Sequence, residues 1–256
     1  MFNFFIINFN HIIILYMKSN KKVAILFFGL TRSLNKTSHS LHENLFNHLT
    51  NNSIDYDIFI HTYKIYGPYI NRWSKEKTKK YNNEDVEKLL NPKYFIHDDQ
   101  NEIIKTIDFN EYYKKLGNWT GDFTSDATKY LIRNMVLALY SKKKITLLFD
   151  QHINEYDYAI IIRPDMEIKT KIDISYFDLL NDNNIIIPED DWWAGCNDRM
   201  CIAKPSIISY CGKLYDELKS YSERKNIISE RYFQDKLKEK NITIIAKKII
   251  YNTLRI

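Results

Sequence analysis

Two stretches of this chain carry no polar break, and they set its architecture. Residues 23–28 (VAILFF) and Tyr158–Ile162 (YAIII) are continuous aliphatic and aromatic runs. A strand with one wet face alternates polar and apolar positions. Short runs without alternation predict strands covered on both sides, as in a parallel sheet. Residues 54–63, 93–97, Asn184–Pro188, Met200–Ala203 and 242–250 add further strands. Between them the period turns helical. Leu41, Leu45, Phe46 and Leu49 mark a helix over 38–50, and Leu131, Met135, Leu139 and Leu148 one over 128–149. Ile208, Leu214 and Leu218 mark a helix over 205–221, Phe233 and Leu237 one over 229–240, and 85–90 is a short helix. Strands alternating with helices predict an α/β fold with a mostly parallel central sheet flanked by helices. Residues 66–83 follow neither period and read as a loop. Residues 101–126, with Gly117, Trp119 and Gly121, read as an irregular insertion near the site. Past residue 250 no pattern is legible.

Composition narrows this picture only a little. The 256 residues carry a net charge of +5, with the lysine pairs Lys21-Lys22, Lys79-Lys80 and Lys247-Lys248 far apart. Scattered pairs describe solvated faces, so no nucleic-acid partner is expected, while a mildly basic surface suits a small anionic substrate. Cys196, Cys201 and Cys211 have no zinc-site spacing and are expected as reduced thiols in a cytoplasmic protein. Residues 1–16 are apolar but interrupted by Asn3, Asn8, Asn10 and His11. They make a poor signal peptide and too broken a run for a membrane span. Residues 1–20 are therefore expected as an extension or weak interfacial anchor outside a single domain over 21–256.

The chemistry-bearing residues follow the strands. Gly29-Leu30-Thr31-Arg32 closes the first run. Glycine allows close backbone approach, Thr31 a hydrogen bond, and Arg32 a contact to a ribose or diphosphate oxygen. This is neither a Gly-x-Gly-x-x-Gly fingerprint nor a P-loop, which argues against dinucleotide and ATP-hydrolysing readings. His61-Thr62 ends the second strand. Arg163-Pro164-Asp165 ends the central one, Pro164 marking where the chain leaves the sheet. All three lie at the C-terminal edge, where open α/β sheets bind ligands. A structural ion pair after a buried strand is the plainer alternative for Arg163 and Asp165. Residues 189–199 (EDDWWAGCNDR) form the densest acidic-aromatic cluster, with Trp192, Trp193, Asp191, Asp198 and Arg199. Aromatic faces beside carboxylates suit sugar recognition; rings packed in a core beneath an acidic loop are the alternative. Glu230 stands in the first turn of its helix, where it also complements the helix dipole.

These ordered motifs, KKVAILFFGLTR, DYDIFIHTY, NEYDYAIIIRPDMEI and NDRMCIAKPS, resemble the GT-A-type glycosyltransferases of polysaccharide loci and large DNA viruses. The resemblance spans about residues 21–240. It implies a Rossmann-like nucleotide-sugar domain, with Gly29, Thr31, Arg32, His61 and Thr62 toward the nucleotide and Arg163 and Asp165 at the diphosphate. It further implies a nucleotide-sugar donor, a glycan or glycoconjugate acceptor bound near Trp192, Trp193 and Arg199, and Mn²⁺ or Mg²⁺ on Asp165. The family's Asp-x-Asp is altered here, because its first position is Arg163. That guanidinium could take over the leaving-group charge and make the metal dispensable. If the transfer inverts, Asp198 is the first choice of base, with Asp191 and Glu230 behind it. A nucleotidyl or sugar-phosphate transferase and a catalytically silent binding domain are the alternatives.

Overall fold

The computed structural model describes residues 4–9, 12–17, 21–72, 74–79, 81, 83, 85–113 and 125–255. The expected Gly117, Trp119 and Gly121 of the irregular insertion lie outside the described residues. Seven strands form the main sheet: β1 (Lys22–Phe28), β2 (Asp55–Lys64), β3 (Tyr94–Asp99), β4 (Tyr158–Ile162), β5 (Asn184–Pro188), β6 (Met200–Ala203) and β7 (Thr243–Lys247). Their spatial order is β7-β5-β6-β4-β1-β2-β3. Only β6 runs against the rest, pairing antiparallel with both β4 and β5. The α/β expectation with a mostly parallel sheet holds.

Alternation along the apolar runs sorts their side chains into two cores. Ala24, Leu26 and Phe28 of β1, with Ala159 and Ile161 of β4, face one side. There they meet Val136, Leu139 and Phe149 of the long helix α2 (Ser125–Asp150). Helices α3 (Pro205–Gly212), α4 (Tyr215–Ser222) and α5 (Ser229–Glu239) complete that layer. Val23, Ile25 and Phe27, with Ile160 and Ile162, face the other side. They meet Leu34, Leu41, Leu45 and Phe46 of α1, a helix built from Leu34–Leu41, a π turn His42–Phe46 and Asn47–Asn51. Both central strands are thus covered on both faces, which is why they never alternate in sequence. Each fully buried Ile or Phe contributes about 1.5–3 kcal/mol by leaving water.

Several boundaries differ from expectation. Helix α1 begins at Leu34, directly after the Gly29–Ser33 turn. The expected helix over 205–221 breaks between α3 and α4, the carbonyl of Tyr210 accepting from Lys213 N at 3.1 Å. The 66–83 loop contains a two-stranded ribbon, Tyr69–Asn71 against Glu76–Thr78. The last expected strand stops at Lys247, and the tail returns as Tyr251–Thr253, pairing with Met166–Ile168 just after β4. The strands Phe4–Phe9 and Ile12–Met17 pair with each other in a sheet separate from the seven. Among the described residues no helix is long and apolar enough to cross a membrane.

Candidate functional site

Strand order reverses between β1 and β4: the chain builds outward through β2 and β3 on one side, and β6, β5 and β7 lie in that spatial order on the other. In open parallel sheets such a reversal leaves a crevice at the strands' C-terminal ends, because the connections leave in opposite directions. A cavity of 880 Å³ opens there. The register puts Phe28 opposite His61 and Phe27 opposite Ile162, so Gly29, His61 and Arg163 share one edge, as expected.

The β1 turn is held from behind. Gly29 takes φ +93°, a conformation that costs a side-chain-bearing residue, and its N–H donates to Ser141 Oγ at 2.8 Å. Arg32 is 8% exposed. It donates to Tyr69 Oη at 2.8 Å and lies 3.3 Å from Glu76 and 3.4 Å from Asp165. Tyr69 and Glu76 belong to the ribbon missed in the sequence; its site role is to fix this guanidinium.

Asp165 is 2% exposed. Its Oδ2 accepts from Arg163, from Arg32 and from Arg255, while its Oδ1 is buried with no hydrogen-bond partner. Burial alone would raise this carboxyl, but Arg163, Arg255 and Arg32 together hold it below the ordinary range. Arg255 is brought down to about 10, by burial first and then by the Arg163 charge. Arg255 arrives on the tail. Leu254 N donates to Asp165 O at 2.9 Å, and Ser33 Oγ to Leu254 O at 3.0 Å, tying the tail to both central turns.

The acidic-aromatic loop and α5 supply the rest of the site. Asp198 accepts from Ser229 Oγ, and its backbone carbonyl accepts from Lys142 Nζ at 2.9 Å. Glu230 lines the cavity beside it at 7% exposure. Burial first, then the Asp198 charge, raises its pKa. Trp193 is 74% exposed and faces the same cavity as Asp165.

The cavity wall thus brings together Gly29, Arg32, Arg163, Asp165, Trp193, Asp198, Arg199 and Glu230, with Arg163 N donating to Arg199 O at 3.0 Å. Thr31, His61 and Thr62 sit at the right edge, but their side chains are buried behind the wall. His61 packs between Ser141 Oγ at 2.7 Å and Asp98 at 3.1 Å, and Thr62 donates to Thr31 Oγ1 at 3.5 Å. Asp191 does not line the cavity. It accepts from Arg199 at 2.6 Å and Tyr251 at 2.7 Å, bracing the loop. Trp192 donates its indole N–H to Pro188 O at 2.7 Å and anchors the loop to β5. Lys142 and Arg255 line the cavity and were not singled out from sequence. Lys142 lay within a Lys-Lys-Lys run that reads as a solvated helix face, yet its ammonium stands 4.4 Å from the centre of the Phe28 ring.

A divalent cation on Asp165 fits these residues poorly. A hard cation collects about six oxygen ligands. Here one carboxylate oxygen is shared by three guanidinium groups, whose charges would also face the ion. Among the described residues no group of three or more His, Cys, Asp or Glu side chains is arranged to hold a metal.

No protein-family model matches the chain, and no curated protein matches it. Among solved structures, the apo form of mouse xyloside xylosyltransferase 1 is similar with a TM-score of 0.41 and 12% identity, over 89% of this chain and 84% of that one. At that TM-score the likeness says nothing about ligands or site residues.

Proposed function

We propose that the cavity is the active site of a glycosyltransferase that moves a sugar from a nucleotide-diphosphate donor to a hydroxyl of a glycan or glycoconjugate acceptor. One observation carries this reading. A corner of three guanidinium groups and a pair of carboxylates, Asp198 and Glu230, line a single cavity at the switch point of the sheet. Sugar transfer needs both: positive charge where a diphosphate departs, and a base where a hydroxyl attacks. Trp193 supplies an aromatic face of the kind that covers a sugar's C–H surface.

In mechanism, Arg163, Arg32 and Arg255 neutralise the leaving diphosphate as the anomeric bond breaks. In an inverting reaction the attacking hydroxyl gives its proton to Glu230. Ser229 already donates to the Asp198 carboxylate, whereas burial shifts Glu230 toward neutral pH, where a base works best. Incubating the chain with a panel of nucleoside-diphosphate sugars and sugar acceptors tests the reading. Release of nucleoside diphosphate, accelerated by an acceptor, is expected. Absence of both binding and release across the panel overturns it.

A further inference from the structure

The least explained feature of the site is its surplus of positive charge. Three guanidinium groups converge on one oxygen of Asp165. Glu76, 3.3 Å from Arg32, is the second carboxylate of the corner. Among the described residues, two anions against three cations leave it positive. Each guanidinium has five donors in a planar fork, far more than one shared carboxylate oxygen can satisfy. Arg32 Nε is buried with no hydrogen-bond partner, as is Asp165 Oδ1, and Arg32, Arg163 and Arg255 all line the open cavity. A buried guanidinium such as that of Arg32 is costly unless it is paired.

We propose that Arg32, Arg163 and Arg255 form a metal-independent binding site for phosphate groups, and that Asp165 is its resident counter-ion and positioning residue, not a metal ligand. Asp165 holds the three forks together before the ligand arrives. A phosphate, whose oxygens match guanidinium forks pairwise, then supplies the missing negative charge. The C-terminal tail is therefore part of the binding site. Its pairing with Met166–Ile168 and the two hydrogen bonds of Leu254 fix Arg255 over the β1 and β4 turns. The ligand class is a diphosphate or a diphosphate ester. The proposal rests on the reading above only for the group that the diphosphate carries.

Inorganic pyrophosphate is the probe, titrated into the full chain by calorimetry and thermal shift, in EDTA and again in Mn²⁺. Binding in EDTA is expected, unimproved by Mn²⁺ and weakened by added salt. Arg255→Ala removes a group on the tail, outside both cores, and should weaken binding at least about tenfold, the loss of one charge-assisted hydrogen bond; Arg255→Lys should recover part of it. Asp165→Asn should lower the ligand-free melting temperature, since three cations lose their counter-ion, yet enlarge the rise that pyrophosphate produces. Should Asp165→Asn not fold, Arg255→Ala still decides. Binding that requires Mn²⁺ or Mg²⁺, or that ignores Arg255→Ala, overturns the proposal. Failure of the two readings is distinguishable. Pyrophosphate binding without turnover of any donor leaves the phosphate site standing and removes glycosyl transfer. Donor turnover that depends on metal and is indifferent to Arg255 does the reverse.

Discussion

Gly195→Ala is the most direct probe of how the acidic-aromatic loop meets helix α5. A Cβ built on Gly195 would lie 2.6 Å from Arg231 N and closer still to the carbonyl carbon and oxygen of Glu230. These are backbone atoms, so no rotamer relieves the overlap. Ordinary contact begins near 3.4 Å, so loop and helix must part by roughly 1 Å. Overpacking of this kind costs about 1–3 kcal/mol, and in a protein of this size each kcal/mol lowers the melting temperature by about 2–4 °C. The catalytic effect should be larger. The loop carries Trp193, Asp198 and Arg199, and the helix start carries Ser229 and Glu230, so these two sets of site residues shift relative to each other. A misplacement of roughly 1 Å costs on the order of 10²-fold in rate. Gly212→Ala is the control, because its Cβ would meet the Thr146 side chain, with Thr146 Cβ at 2.6 Å, away from the cavity wall. Melting temperature and turnover per folded molecule are measured on both variants. Both should lose stability, and only Gly195→Ala should lose turnover out of proportion. An unchanged Gly195→Ala protein would refute the packing argument; equal turnover losses in the two variants would refute the positioning argument.

Three further outcomes follow from the site. Trp193→Ala should leave the melting temperature nearly unchanged, since the ring is 74% exposed and surface changes cost within about 0.5 kcal/mol, while KM rises several-fold with kcat held; loss of stability would place the ring in the core instead. Glu230→Gln should lower turnover on the order of 10²–10⁴ and abolish the acid limb of the pH–rate profile. Because burial and Asp198 raise this carboxyl, the wild-type rate should fall as pH drops through a value above the ordinary glutamate range near 4.3. Arg163→Asp recreates the Asp-x-Asp spacing but leaves Arg32 and Arg255 on Asp165, so Mn²⁺ should still not raise the melting temperature.

How much of this was legible in the sequence depended on how local the cause was. The two unbroken apolar runs were readable as central strands because burial on both faces removes alternation within five to six residues. The common edge of Gly29, His61 and Arg163 followed from where those runs end. What strand ends do not reveal is which face a side chain takes. His61 and Thr62 occupy the right edge, yet both point into the protein and are satisfied there. The Tyr69–Asn71 and Glu76–Thr78 ribbon was illegible because three-residue strands with mixed polarity show no period, and the Arg32 it holds is 37 positions from Tyr69. Gly195 stood out in sequence inside its acidic loop; the reason, a helix backbone against its Cα, needed the fold.

The same distinction explains why the sequence alone points Asp165 toward a metal. In sequence, a carboxylate two residues after an arginine is one acid and one base, and a cation beside the acid is reasonable. In the fold, Arg32 arrives from 133 residues away and Arg255 from 90, and the balance at that point reverses. A carboxylate shared among three guanidinium groups is chiefly a means of holding those groups together, because the same Coulomb attraction that lowers its pKa resists replacement of any one of them by another cation. Charge at a buried site is thus a property of the assembled shell. No single position in Arg163-Pro164-Asp165 specifies it.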